Sequence, residues 1–238
     1  MTVLKCFSNL EQFKIDQHDD CDFYWLDLTD YDEACHLQAE LVNLKKNNRN
    51  EKQYFIGLEH QPTLTLGLRA HTLFDSYAHS GLSVKKINRG GLATIHSPGQ
   101  LVIYPIYDLR QKNISVKNFV SSLFVTTQKL LDFHNINSQV DVCDQPGVYT
   151  TNGKIAFCGL QISNGITQHG LSLNNTNDLS YFRQIESCGI KNAQLDRISN
   201  HHIKVSNFEL FKQWSSLFRE YQETKEGLDK SKSAHEYL

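Results

Sequence analysis

Arg89-Gly90-Gly91-Leu92-Ala93-Thr94-Ile95-His96-Ser97-Pro98-Gly99-Gln100 gathers three glycines, a proline, an arginine and a histidine into one short stretch. Paired glycines remove the Cβ that keeps a main chain away from a ligand. Ala93 and Ile95 alternate with Thr94 and His96, which predicts a short strand with the histidine on its polar face. Pro98-Gly99 then turns the chain into an apolar run over 101–107, long enough for a buried strand. Pro105 has no amide proton, so the run is expected to lie at an edge or to carry a bulge. On local features alone the stretch fits two descriptions: a glycine-rich hairpin with a surface histidine, or a turn that faces a ligand.

Outward from this centre, strands alternate with helices. Upstream, 23–27 and 53–59 read as strands, and 63–66 as a third that ends before Gly67. Between the first two, residues 31 to about 47 predict a helix with Ala34, Leu37, Leu41 and Leu44 as its apolar stripe. Asp30, Asp32 and Glu33 at its start and Lys45 and Lys46 at its end complement the helix dipole. Residues 83–88 form a strand that delivers Arg89. Downstream, 116 to about 135 is helical, and 146–154 reads as a hairpin turned by Asn152-Gly153. Strands follow over 155–162 and 167–174, then a helical turn within 179–186. Ser206 and Glu209 have capping-box spacing and open a last helix whose stripe is Phe208, Phe211, Trp214, Leu217, Phe218 and Tyr221. Past Lys225 the chain turns polar, which predicts fraying from about residue 226. Mixed strands and helices without a Rossmann glycine pattern give an α/β (α+β) class with a mixed β-sheet flanked by helices. Neither a linker nor a repeat divides the 238 residues, so a single catalytic domain is expected.

Composition narrows function mostly by exclusion. A net charge of −2 with neutral histidines gives no general attraction to nucleic acid or membrane. No apolar run approaches the roughly 18 residues of a spanning helix, and the amino terminus has no signal-peptide pattern, which points to a cytoplasmic protein. Cys6, Cys21, Cys35, Cys143, Cys158 and Cys188 contain no CxxC pair, and free thiols are expected in that compartment. No zinc-finger spacing of Cys and His occurs. Lys154 is not a P-loop lysine, because five residues instead of four separate Gly147 from Gly153 and Ile155 occupies the Ser/Thr position. By position it reads as a solvated lysine opening a strand, and His60 as a strand-end surface residue.

The central stretch resembles the RGGxxTxHxPGQ signature of the lipoyl(octanoyl) transferases. Glu59-His60-Gln61-Pro62-Thr63-Leu64-Thr65-Leu66-Gly67 is similar to a second block of that family. Pro146-Gly147-Val148 through Lys154-Ile155-Ala156, His169-Gly170-Leu171 and Cys188-Gly189-Ile190 are similar to a third. The likeness runs from about residue 23 to about 190. It implies the fold shared by biotin and lipoate protein ligases, and transfer of an octanoyl group from acyl carrier protein to a lysine of lipoyl domains. Those domains belong to 2-oxoacid dehydrogenase E2 subunits and the glycine cleavage H protein. It further implies Cys188 and Lys154 as catalytic residues. The implied substrate contacts are Arg89, Gly90, Gly91, His96, His60, His169, Gly170, Ala156 and Gly159. No cofactor and no metal are implied. Relatives commonly carry a basic residue where Leu68 stands, leaving Arg69, and a proline where Ser187 stands.

The residue types suit that chemistry. A thioester donor calls for a nucleophile that also leaves well, as a thiolate does, and a protonated acceptor amine calls for a base. The alternative on the same scaffold is an ATP-dependent lipoate or biotin ligase, whose glycine stretch usually holds a third glycine that Arg89-Gly90-Gly91-Leu92-Ala93 lacks. A non-catalytic lipoyl-domain or carrier-protein binder is a third reading, which retention of Cys188 and Lys154 disfavours.

Overall fold

A computed structural model describes residues 7–18, 20–48, 52–77, 81–184 and 194–235. A short 3-10 helix, Phe7–Phe13, leads into β1 (Lys14–Gln17), β2 (Cys21–Thr29), α1 (Tyr31–Asn47), β3 (Gln53–His60) and β4 (Thr63–Leu66). After two 3-10 turns come β5 (Ser83–Lys86), β6 (Ala93–His96), β7 (Gln100–Ile106) and α2 (Val116–Phe133). The chain continues through β8 (Gln139–Asp141), β9 (Gly147–Thr150), β10 (Gly153–Ser163) and β11 (Ile166–Asn174). A 3-10 helix at Leu179–Gln184 precedes α3 (Asn207–His235). The expected helix at 31–47 and strand at 63–66 are present, whereas β1 had no signal in the sequence. The backbone of α3 continues to His235, past Lys225 where fraying was expected.

Eight strands form the main sheet in the order β1-β2-β3-β7-β11-β10-β9-β8, and β5-β4-β6 form a second, smaller one. The sheets are mixed: β2 and β3 run parallel, as do β4 and β5, while the other pairs are antiparallel. Both faces of the main sheet are covered, so its central strands read as continuous apolar runs. Phe23 and Phe55 point to the α2/α3 side with Phe119, Phe211 and Trp214; Tyr24, Leu26 and Ile56 point to α1 with Leu37 and Leu41. Phe23 and Phe55 stack with centroids 4.9 Å apart. Each such buried ring contributes about 2–3 kcal/mol of transfer free energy. A third cluster, Leu64, Leu66, Ala93, Ile95, Phe157 and Phe182, fastens the small sheet to β10.

The caps are local. Asp30 accepts hydrogen bonds from the amides of Asp32 and Glu33, Ser115 from Asn118, and Ser206 from Glu209. Among the described residues no helix is long and apolar enough to cross a membrane.

Pro105 stands at neither an edge nor a bulge, since the register is the same before and after it. It lies in the centre of the main sheet, not at an edge, because β7 pairs with β3 on one side (Phe55↔Pro105) and with β11 on the other. The ladder to β11 stops at Leu171↔Ile103, and β11 returns to the chain after β7 only at Thr167, whose amide donates to Tyr107 O at 3.0 Å. Between those points His169 turns through a positive φ of 55°, and Gly170 packs closely on β7, where a Cβ would overlap Ile103 O and lie 2.6 Å from Pro105 Cδ.

Candidate active site

A pocket lies beside this stretch of β11. Arg89, Gly90, Gly91 and His96 come to it from the small sheet, Tyr31 from α1 and Tyr104 from β7. Phe157, Cys158 and Gly159 come from β10, and His169 and Gly170 from β11. The space between these residues, its open mouth included, is about 520 Å³.

Arg89 is buried and used structurally. Its guanidinium donates to Thr65 O (2.9 Å), Thr65 Oγ1 (2.8 Å) and Gly90 O (2.9 Å), tying β4 to the glycine turn. Gly90 donates to Leu160 O at 2.9 Å, joining that turn to β10. Gly91 has φ 91°, a conformation that suits glycine. Gly159 sits where a Cβ would come within 3.2 Å of Arg89 Cδ and Gly90 O. Ala156, by contrast, is fully buried in the core under α2 and α3 and is absent from the pocket wall.

His96 and His169 face the pocket, but His60 stands one layer behind it. His60 Nδ1–H donates to Thr29 O (2.7 Å), which leaves Nε2 to accept from the Tyr104 hydroxyl (2.8 Å). The expectation that His60 lines the cavity is therefore corrected: Tyr104 lies between. His96 is held by Gln100 Oε1 at 2.7 Å from Nδ1, and Gln100 in turn donates to Asn174 Oδ1 at 2.9 Å. His96 is 7% exposed, so the polar face of its strand looks into the protein, not into solvent. Burial lowers His60 to a pKa of about 4. Burial, with the adjacent His60, lowers His96 to about 3. Burial and the Arg89 charge lower His169 to about 4. All three are neutral at pH 7, so the wall offers uncharged ring nitrogens. Burial also pushes the Cys158 thiol up to about 12, a poor nucleophile at neutral pH.

Lys154 is not a solvated surface lysine. It is 6% exposed, and Nζ donates to Pro146 O at 2.7 Å and Gln145 O at 3.5 Å. A register shift between Lys154 and Ala156 breaks the β9–β10 ladder. Such a bulge re-aims side chains, and here Nζ lies 5.1 Å from the ring centre of Phe157, a pocket residue, and 5.3 Å from that of Tyr149. Cys188 lies outside the described residues. On either side of it, Phe182 stacks on Phe157 (5.8 Å, 11°) and Leu195 pairs with Lys154.

Sequence reading missed Tyr31 and Tyr104 in the wall, and Gln38 and Gln100 behind it. Tyr31 begins the α1 stripe and stacks on His96 at 6.1 Å; its position on that stripe was the available signal.

A family profile described as "Lipoyl protein ligase A/B catalytic domain" matches residues 30–214. An octanoyltransferase of Legionella pneumophila is 30% identical, covering 81% of this chain and 95% of its own. One of Neisseria gonorrhoeae is 37% identical, covering 66% and 75%. Among solved structures, a bipartite lipoate protein ligase from Thermoplasma acidophilum, studied with its E2 lipoyl domain, superposes with a TM-score of 0.59. It covers 82% of this chain and 81% of its own at 12% identity, a likeness of fold. By profile and by relatives alike, the chain belongs to the lipoyl protein ligase A/B catalytic-domain family and is an acyltransferase.

Proposed function

We propose that this protein moves an octanoyl group from octanoyl-acyl carrier protein to the acceptor lysine of lipoyl domains, through an acyl-Cys188 intermediate, as the first step of protein lipoylation. The observation that carries the reading is the placement of Lys154: a buried ammonium clamped to two carbonyls and touching the pocket through Phe157. The names of the relatives support the octanoyl group, and the archaeal ligase with its E2 domain supports a lipoyl-domain acceptor.

In this reading Cys188 and Lys154 act as a pair: an ammonium partner favours the thiolate, which attacks the thioester carbonyl. The bond to the carrier sulfur breaks, and the departing thiolate takes a proton from Lys154. Neutral Lys154 then accepts the proton of the substrate amine as it attacks the acyl-cysteine. The amide forms, and the Cys188 thiolate and Lys154 ammonium are restored. His96 and His169, neutral in the wall, add no charge where an apolar chain must enter. Arg89, the cation among the described lining residues, is engaged with Thr65 and Gly90 in a structural clamp, which favours this reading over an ATP-dependent ligase.

The test is to mix the protein with octanoyl-carrier protein alone, deplete nucleotides enzymatically, and weigh it by mass spectrometry. One octanoyl adduct on the Cys188 peptide is expected, lost in Cys188→Ser and passed to a lipoyl domain slowly in Lys154→Ala. Octanoylation that needs ATP and accepts free octanoate overturns the proposal in favour of a ligase.

A further inference from the structure

His169 is held unlike its two neighbours. His60 is fixed through both ring nitrogens and His96 through Nδ1, but Nδ1 of His169 is buried with no hydrogen-bond partner among the described residues. Its aim is left to its main chain and to an edge contact with Tyr104, 6.2 Å between ring centres. That main chain has φ 55°, a left-handed conformation that side-chain-bearing residues keep only when their surroundings over-determine it.

The surroundings are identifiable. Opposite the bend stands Pro105, with no amide to offer, and a Cβ on Gly170 would come 2.6 Å from Pro105 Cδ. Below it Thr167 re-anchors the strand through Oγ1, which donates to Pro105 O at 2.6 Å. At the bend itself, His169 N donates to Oε1 of Gln38 at 2.7 Å. Gln38 is 1% exposed on α1. Tyr31, Ala34, Gln38, Leu41 and Lys45 are all buried, at the 3- and 4-residue steps of one helical face. An amide side chain in the middle of such a stripe costs desolvation where it is not bonded; its oxygen is bonded to this one amide, while its Nε2 is buried without a partner among the described residues.

We infer that Gln38 is a positioning residue, whose carboxamide oxygen locks the left-handed backbone of His169 and thereby keeps that imidazole in the pocket wall. Its kinetic consequence rests on the transfer activity proposed above; its structural consequence does not.

The test uses full-length protein carrying 15N-labelled histidine. Imidazole ring signals are read at pH 5.5 and 7, and His169 is assigned with His169→Gln. The wild-type ring should stay neutral at pH 5.5, in keeping with its value of about 4. In Gln38→Met, which keeps length and removes the acceptor, His169 should turn toward the mouth and become largely protonated at pH 5.5, near ordinary imidazole behaviour. His60 and His96 should not move. Gln38→Asn, with its oxygen withdrawn, should act in the same direction if the methionine variant fails to fold. Val42→Ala, a packing defect on the same helix, should leave His169 unchanged. Octanoyl transfer by the Gln38 variants should fall in kcat by roughly 10²-fold, the scale set by misplacement of a group at a reacting centre, with KM for the carrier little altered. An unmoved His169 in both Gln38 variants overturns the inference whatever the activity. A moved His169 in a protein that never transfers octanoate upholds it and sinks the transfer reading instead.

Discussion

Gly147 and Lys154 claim the same space: a Cβ on residue 147 would overlap the lysine's Cε and lie 2.9 Å from its Nζ. The glycine is therefore what lets the ammonium reach the Pro146 carbonyl. Gly147→Ala should displace Lys154 and also press on Ala156 O, 2.9 Å from that Cβ. Octanoyl transfer is expected to fall at least about tenfold in a protein that is still folded at the assay temperature by circular dichroism. Wild-type turnover in this variant would show that the position of Lys154 is not critical.

Three histidines buried neutral make stability depend on pH in a definite direction. Their folded pKa values of about 4, 3 and 4 lie below the ordinary 6.5, so the unfolded chain binds more protons between those values. Their contribution is complete above pH 6.5 and is lost as pH falls toward 4. Each should cost about 1 kcal/mol between pH 7 and 5.5. Urea unfolding at the two pH values measures it, and a flat profile would mean that the rings are not buried as neutral groups.

Much of this architecture was open to inspection in the residues. The α1 stripe and its charged ends announced the helix, and Pro105 announced a missing donor in its strand. What the proline could not announce was how a central strand would absorb it. There the Thr167 hydroxyl donates to Pro105 O and Gly170 leaves room for its ring, both far along the chain. For the same reason Gln38 was unreadable as a site residue: its partner is the main-chain amide of His169, and amides carry no sequence signature. Lys154 reads as solvated by position, and only its resemblance to a family motif set it apart. Burial beneath the 145–147 segment is a tertiary fact.

Arg89→Lys keeps the charge and loses the fork. One ammonium cannot reach Thr65 O, Thr65 Oγ1 and Gly90 O together. Unfolding free energy should drop by about 2–3 kcal/mol, read by urea denaturation. A neutral substitution would argue that the clamp is redundant.

Tyr104→Phe tests the layer behind the pocket. His60 keeps its bond to Thr29, so its buried Nε2 loses its donor. A cost of about 1–3 kcal/mol follows from leaving a buried acceptor unmade. Equal stability of the two proteins would mean that Nε2 does not depend on the Tyr104 hydroxyl.

The break in the β7–β11 ladder has one more consequence, for hydrogen exchange. Where two strands pair, each amide proton is protected by the neighbouring strand. Beside Pro105 there is no amide to pair, and the amide of His169 is held by a helix side chain instead. The exchange rate of one backbone proton in the middle of the sheet therefore reports on α1.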